Sequence, residues 1–514
     1  MRDLWPDLRY SFRSLARRPG FTAVAVLTLA LGIGANTAIF SAVHAFLIAP
    51  LPFDEPERLV LVHDVNRDGR MMPVAVPNYL DLEERASSFS GLAAYRSSSF
   101  NLAGGGERPE RVDGVMATHD LFSLLGVELR FGSWLSAEQR LSATGDGGAP
   151  AIALLGEDLW RRRYGADPEV VGQTLDLDGR RFTIAGVVPG GFELPWSDEA
   201  GVWVPMGLWA DSLLERGNHS NTLMIGRLAP GVTVAAANQE VEAVYADMAE
   251  EYPGTNRFLS GHAVGLADHL IEDLKPALLL LWGAVGFVLL IACANLANLM
   301  LVRGAGRHRE LAVRRALGAG RGRLVRQLLT ESLVLGVTGG GLGLLFGAWG
   351  IELLRSTADS PEQLTLSLPV FLFAGGLGVA TGVAVGLLPA LSATRSTAAA
   401  LAEGGRSGGG DRSGALVRRA LVGAEIALAL VLLIGAGLMI ESFRQLARLD
   451  LGFATDDRLI ADVLLPDGSY GEEERRLEFY DRLLARLEAR PEVATAAFAS
   501  PLPLSFSTSG HSVD

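Results

Sequence analysis

The sequence predicts a membrane protein: an α-helical transmembrane bundle of five spans, with a large mixed α/β extracytoplasmic domain inserted between spans 1 and 2. Three observations carry that prediction. Apolar runs at 21–51, 276–302, 332–354, 369–391 and 421–440 each reach the roughly 20 residues that cross a bilayer core. Arginine crowds the chain before the first run and after the second and fourth, which orients those stretches toward the cytoplasm. Residues 52–265 contain no span and alternate strand with helix signals. At 49% hydrophobic and 20% charged residues, the 514-residue composition suits an integral membrane protein with sizeable soluble parts.

Charge and rare residues narrow the function classes. A net charge of −13 coexists with Arg-rich loops, so the acidic surplus belongs to the extramembrane regions and nucleic acid is not an expected partner. Cys293, the only cysteine, lies within an apolar run, which leaves no disulfide framework or thiolate metal cluster to build and makes it a small packing residue. Lys275 is the sole lysine. A P-loop needs GxxxxGK[ST] because its lysine reaches the β and γ phosphates, and Lys275 is preceded by Glu272, Asp273 and Leu274 and followed by Pro276. These residues therefore form no P-loop, and no cofactor is expected in this chain.

The first 20 residues set Leu4, Leu8, Phe12 and Leu15 at helical spacing beside Arg9, Arg13 and Arg17. This is either an amphipathic helix on the cytoplasmic membrane surface or a basic flank that orients the first span. The span at 21–51 is too long for a signal-peptide core. In the domain at 52–265, Arg58 to Val65 reads as a strand, Pro77 to Phe89 and Leu121 to Val127 as helices, and Gln173 to Val188 as a hairpin turning at Asp178 and Gly179. Ser220 to Leu228 reads as another strand and Val232 to Tyr252 as a helix, while Ser142 to Pro150 is the most loop-like stretch. Residues 266–302 carry a stalk and the second span, as one unbroken helix of roughly 55 Å at 1.5 Å per residue. Pro276 either kinks it or opens a fresh helix. A cytoplasmic loop at 303–331 leads to the third span at 332–354 and the fourth at 369–391. Gly339, Gly343 and Gly347, and likewise Gly378, Gly382 and Gly386, give those spans smooth stripes for helix packing. A Gly/Ser-rich cytoplasmic linker at 395–419 precedes the fifth span, 421–440, and residues 441–514 start a second extracytoplasmic segment.

Three stretches carry a family resemblance. RELAVRRALGA, Arg309 to Ala319, resembles the cytoplasmic segment after the second membrane helix in permeases of the MacB and FtsX type. LTLALGIGANTAIF followed by PLPFDEPERLV resembles the start of MacB-like permeases, especially the tandemly duplicated ones of acidobacteria, and GLLPALSATR resembles the end of the FtsX-like unit. The resemblance implies the permease of an ABC-type transporter in the cell inner membrane, with its N-terminus cytoplasmic. A periplasmic core domain would lie at 52–265, with a smaller β-rich insertion at about 113–215. It implies a separate ATPase dimer as the partner that binds ATP, docked on Arg309, Glu310, Leu311, Arg314, Arg315, Ala316, Leu317 and Gly318, with a periplasmic adaptor or substrate protein as a further partner. LALVLLIGAG in the fifth run echoes LTLALGIGAN in the first, and DRLIADVL at 457–464 echoes ERLVLVH at 57–63. The chain thus reads as a duplicated permease cut short in its second half, with a strand at 457–464, a helix about Tyr480 to Leu487 and a strand at 494–499.

Catalytic chemistry finds little support. Asn36, Asn295 and Asn298 suit interhelical hydrogen bonds, and Glu331, Glu352, Glu425 and Glu441 sit near span ends, where ion coupling is not expected. His63, His119, His219, His262 and His269 are scattered without HExxH spacing, and no GxSxG elbow is present, so neither a metal site nor an enzyme is expected. The competing reading is a membrane-anchored scaffold or receptor with no transport activity.

Overall fold

The computed structural model describes residues 4–103, 109–139, 141, 150–195, 197, 200–209, 213–219, 221–305, 320–356, 364–402, 412–448, 458–461, 463, 465, 470 and 472–499. The chain divides into two compact units, one of residues 1–49 and 271–457, the other of residues 50–270 and 458–514.

The chain opens in the helical unit. Helix α1 (Leu4–Ala16) turns Leu8 and Leu15 into a core with Leu29, Ile33, Leu289 and Leu296, and leaves Trp5 and Phe12 exposed. Helix α2 (Pro19–Val43) starts on a proline, whose missing N–H falls among the donors a first turn leaves unpaired. It ends in a π turn, His44–Ile48.

The second unit is built on one sheet. In chain order its elements are β1 (Leu59–Val65), β2 (Met71–Met72), α3 (Val76–Arg85), β3 (Phe89–Ala103), β4 (Glu110–Ala117), α4 (Leu121–Leu125), β5 (Phe131–Gly132) and β6 (Ile152–Gly156). Then come α5 (Glu157–Tyr164), β7 (Thr174–Leu177), β8 (Arg180–Val188), β9 (Val202–Pro205), β10 (Leu223–Leu228), α6 (Val234–Glu251), β11 (Ser260–Gly265) and α7 (Leu266–Ile271). The sheet runs β11-β1-β10-β3-β4-β9-β6-β8-β5, with β2 on β1 and β7 on β3 and β8. Both faces are covered, which explains why β1 reads as a continuous apolar run rather than an alternation. Val60 and Val62 face a core with Tyr79, Leu82, Val241 and Tyr245 from α3 and α6, whereas Leu59 and Leu61 face Leu121, Leu125 and Trp203.

The turn between β7 and β8 follows the local chemistry, with Asp178 at φ 53° and Gly179 at φ 81°. The strands of the expected β-rich insertion at 113–215 pair into the same sheet as the rest of the unit. Strand β4 pairs antiparallel with β3 on one side and parallel with β9 on the other, so β9, β6, β8 and β5 continue the same sheet. Gly114 allows this, since a Cβ there would lie 2.7 Å from the Val202 carbonyl oxygen on β9. The loop-like stretch Ser142 to Pro150 lies, apart from Pro150, outside the described residues.

Helix α8 (Leu274–Ala305) begins a fresh helix, because the expected unbroken run from 266 is interrupted at Glu272 and Asp273. Pro276 therefore opens a helix and does not kink one. Helices α9 (Arg321–Arg355), α10 (Leu368–Ala402) and α11 (Arg412–Ala447) follow, and then α12 (Glu473–Glu488). Helix α10 continues into the expected linker because Ala398, Ala399 and Ala400 favour helix. Five helices among the described residues are long and apolar enough to cross a membrane. The expected strands at 457–464 and 494–499 do not form among the described residues, where 458–461 and 495–499 have no regular structure. A strand needs a neighbour to take its N–H and C=O groups, and local periodicity cannot supply one.

Candidate functional site

Arg309, Glu310, Leu311, Arg314, Arg315, Ala316, Leu317 and Gly318 lie outside the described residues, but both flanks of their segment are described: α8 up to Ala305 and α9 from Arg321. There α1, α8 and α9 meet around charge. Arg303 Nη2 on α8 lies 3.0 Å from Glu331 Oε1 on α9, and their side chains are only 8% and 2% exposed. Ser14 of α1 closes the triangle, donating to Glu331 Oε1 at 3.0 Å and accepting from Arg303 Nη2 at 3.1 Å. The Arg303 guanidinium also lies over the Phe21 ring, 4.8 Å from its centroid. Nearer the start of α9, Arg326 Nε donates to Asp7 Oδ2 of α1 at 2.8 Å. The buried Arg303–Glu331 pair is held by its mutual geometry, since losing either partner strands a charge at a cost of about 3–5 kcal/mol.

The glycine stripes lie at the helix contacts. A Cβ at Gly339 would sit 2.7 Å from Leu29 Cβ, at Gly343 3.0 Å from Ile33 Cβ, and at Gly347 3.0 Å from Thr37 Cβ, all on α2. Gly378, Gly382 and Gly386 face α9, where added Cβ atoms would lie 2.9 Å from Gly336 O, 3.0 Å from Leu333 Cα and 2.8 Å from Ser332 Cβ. Asn36 Nδ2 donates to Val285 O at 2.9 Å, joining α2 to α8. Asn298 Nδ2 donates to Glu425 Oε1 at 3.0 Å, tying α8 to α11.

In the sheet unit, the histidines taken as scattered come together in part. His63 on β1 faces His262 directly across on β11, with ring centroids 5.5 Å apart, and His269 of α7 is 6.0 Å away. Burial, then the neighbouring His262 and His269, lowers the His63 pKa to about 4. No group of three or more His, Cys, Asp or Glu among the described residues is placed to hold a metal ion. On the other face of β1, fully buried Asp64 accepts hydrogen bonds from Tyr245 Oη and from Asn78 Nδ2 at 3.1 Å, and His219 Nδ1 lies 3.0 Å away. Arg216 pairs with Asp81 at 2.7 Å and stacks on Tyr252, completing a polar knot between β1, α3, α6 and the lead-in to β10. A cleft of about 470 Å³ is lined by Glu83, Phe89, His119, Asp120 and Arg227, where burial lifts Asp120 to about 6 despite the hydrogen bond from Thr118.

No nucleophile with an adjacent base emerges from these groups, and the arrangement at the α1, α8 and α9 ends is suited to holding helices in register. The sequence offered a faint signal for it, an acid and a base at the near ends of consecutive apolar runs. Ser14 and Asp7 carried no such signal, since polar residues on a surface helix are ordinary.

Comparison with known proteins matches residues 22–244 to the MacB-like periplasmic core domain and residues 282–398 to the FtsX-like permease C-terminal domain. The macrolide export ATP-binding/permease protein MacB of Sodalis glossinidius is 25% identical over 325 residues, 63% of this chain and 46% of that protein. MacB of Marinobacter nauticus is 29% identical over 258 residues, 49% of this chain and 38% of that protein. The chain thus spans less than half the length of these relatives. Among solved structures, the periplasmic region of MacB from Actinobacillus actinomycetemcomitans is similar at a TM-score of 0.32 and 13% identity, over 46% of this chain and 97% of that one.

Proposed function

The chain belongs to the MacB/FtsX-type permeases of ABC transporters, and from that premise we propose that it couples ATP hydrolysis by a separate ABC-type ATPase to conformational change in its periplasmic domain, driving efflux or export. The observation that supports this most directly is the order of parts. The MacB-like periplasmic core match at 22–244 takes in the first apolar helix and most of the sheet unit, and the FtsX-like match at 282–398 encloses the Arg309 to Gly318 segment between α8 and α9. The relatives are named ATP-binding/permease proteins, while the only lysine here, Lys275, stands outside any phosphate-binding loop. In this reading hydrolysis belongs to an ATPase dimer docked on the basic segment through complementary charge. A periplasmic adaptor or substrate protein would meet the other end.

The test is to reconstitute the full chain in lipid nanodiscs with an ABC-type ATPase that co-isolates with it. Stimulation of hydrolysis is expected in the wild type, with Glu310→Arg or Arg314→Glu lowering it about 5- to 150-fold, as loss of roughly 1–3 kcal/mol of coupling requires. Membrane insertion should be unaffected, because the loop keeps its excess of Arg. Unchanged stimulation in both variants would overturn the docking assignment, and no stimulation by the wild type would favour a membrane-anchored scaffold.

A further inference from the structure

Helix α9 extends past its contact with α8 toward the coupling segment. Glu331 lies ten residues after Arg321, so about 15 Å of α9 precedes it at 1.5 Å per residue. Along that arm Arg326 is held by Asp7 of α1, and at its root Glu331 is held by Arg303 and Ser14. Beyond the root the character of the contacts changes. Gly336 meets the Gly378 and Gly382 backbone of α10, whereas Gly339, Gly343 and Gly347 receive the Leu29, Ile33 and Thr37 side chains of α2, so at these four positions α9 itself projects no side chain. A helix held at a buried charged point and packed beyond it through apolar and glycine contacts has its rotational setting defined at that point.

We propose that Arg303, Glu331 and Ser14 form the pivot through which displacement of the α9 arm reaches α2 and α10, with Asp7 and Arg326 bracing the arm against α1. The inference rests on the ATPase-coupling reading above, and it assigns these residues a positioning role. The geometry favours this over simple glue. A charged pair with a shared hydroxyl fixes both the separation and the rotational setting of two helices, whereas apolar contact fixes the separation alone. It also gives α1 a part that membrane-surface anchoring would not require, because Asp7 and Ser14, about two turns apart on α1, bond two different points of α9 about one and a half turns apart.

The experiment uses the full chain in nanodiscs and the double variant Arg303→Met/Glu331→Met, which removes the charges while filling their space. The first readout needs no ATPase: spin labels on exposed Arg13 of α1 and Arg323 of the α9 arm report their distance distribution. It should be narrow in the wild type and broadened in the Met/Met variant, and an unchanged distribution would overturn the pivot whatever the ATPase does. The second readout is stimulation of the ATPase co-isolated with the chain. The Met/Met variant should keep ATPase co-isolation and its thermal midpoint yet lose stimulation by about tenfold or more. The reversed pair Arg303→Glu/Glu331→Arg should regain most of it, since the Ser14 hydroxyl can donate or accept. Wild-type stimulation in the Met/Met variant would reduce the pair to packing. If instead the wild type co-isolates no ATPase, the coupling reading fails, and the distance measurement alone decides whether the pair governs the arm.

Discussion

At the scale of single residues, His63 is the most consequential buried group outside the helices. It is 4% exposed, and both ring nitrogens lack a hydrogen-bond partner. With its pKa lowered from 6.5 to about 4, the folded chain holds it neutral while the unfolded chain accepts a proton. Stability therefore falls as pH drops from 6.5 through 4, by roughly 3 kcal/mol for this group. Asp120 acts in the opposite sense. Raised from 3.8 to about 6, it contributes stability that is full below 3.8 and lost as pH rises through 6, again roughly 3 kcal/mol. The two nearly cancel between pH 4 and 6. His63→Leu, which sets an apolar side chain beside Leu61, should unmask Asp120, so that the variant gains stability on acidification from pH 7 to 4 where the wild type changes little. Denaturant melts of the full chain in detergent, followed by tryptophan fluorescence, check this, and parallel pH profiles for the two proteins would remove His63 as the source.

At the scale of elements, the packing of α9 turns on which glycines face backbone. Gly336 is more crowded than any glycine of the regular stripes: an added Cβ would collide with the Gly378 carbonyl oxygen and lie 2.8 Å from Gly382 Cα. Backbone on an opposing helix cannot rotate away as a side-chain tip can. Gly336→Ala should therefore destabilise the helical unit by about 1–3 kcal/mol as the helices separate. Gly341→Ala, with nothing within 4 Å, should leave it unchanged or slightly raise it. Thermal unfolding in detergent separates the two, and equal midpoints would mean that α9 and α10 approach less closely than this packing requires. The repeat of four legible in the sequence begins at Gly339, and Gly336 falls outside it although its contact is tighter than any in the two stripes.

For the whole molecule, the distribution of Arg predicts a topology: by the positive-inside rule, α1 and the α8–α9 connection are expected in the cytoplasm and the sheet unit in the periplasm. Single cysteines at exposed Thr174 and Arg323, in a Cys293→Ala background, should react with an impermeant thiol reagent from opposite sides of intact cells and inverted vesicles. Equal labelling from outside would sink the topology. The same arrangement accounts for the exposed apolar side chains of the helical unit, among them Leu280, Trp349, Leu372 and Leu433, which are suited to face lipid tails.

What the sequence determined by itself is what neighbours along the chain determine. The apolar runs, the Asp178–Gly179 turn and the glycine stripes are all written within a window of a few turns, where hydrophobic period and backbone preference act directly. Tertiary structure alone decided the rest. Strand β3, fifteen residues with polar interruptions at Ser97 to Ser99, is a strand because β10, β4 and β7 pair with it. The echo of β1 at 457–464 forms no strand among its described residues. His63 meets His262, Asp64 meets Tyr245 and Arg303 meets Glu331 only because separate segments are brought together. A hydrogen-bonding edge or a buried charge is satisfied by whatever group arrives opposite it, and that partner is chosen by the packing of the whole unit, not by the residues on either side.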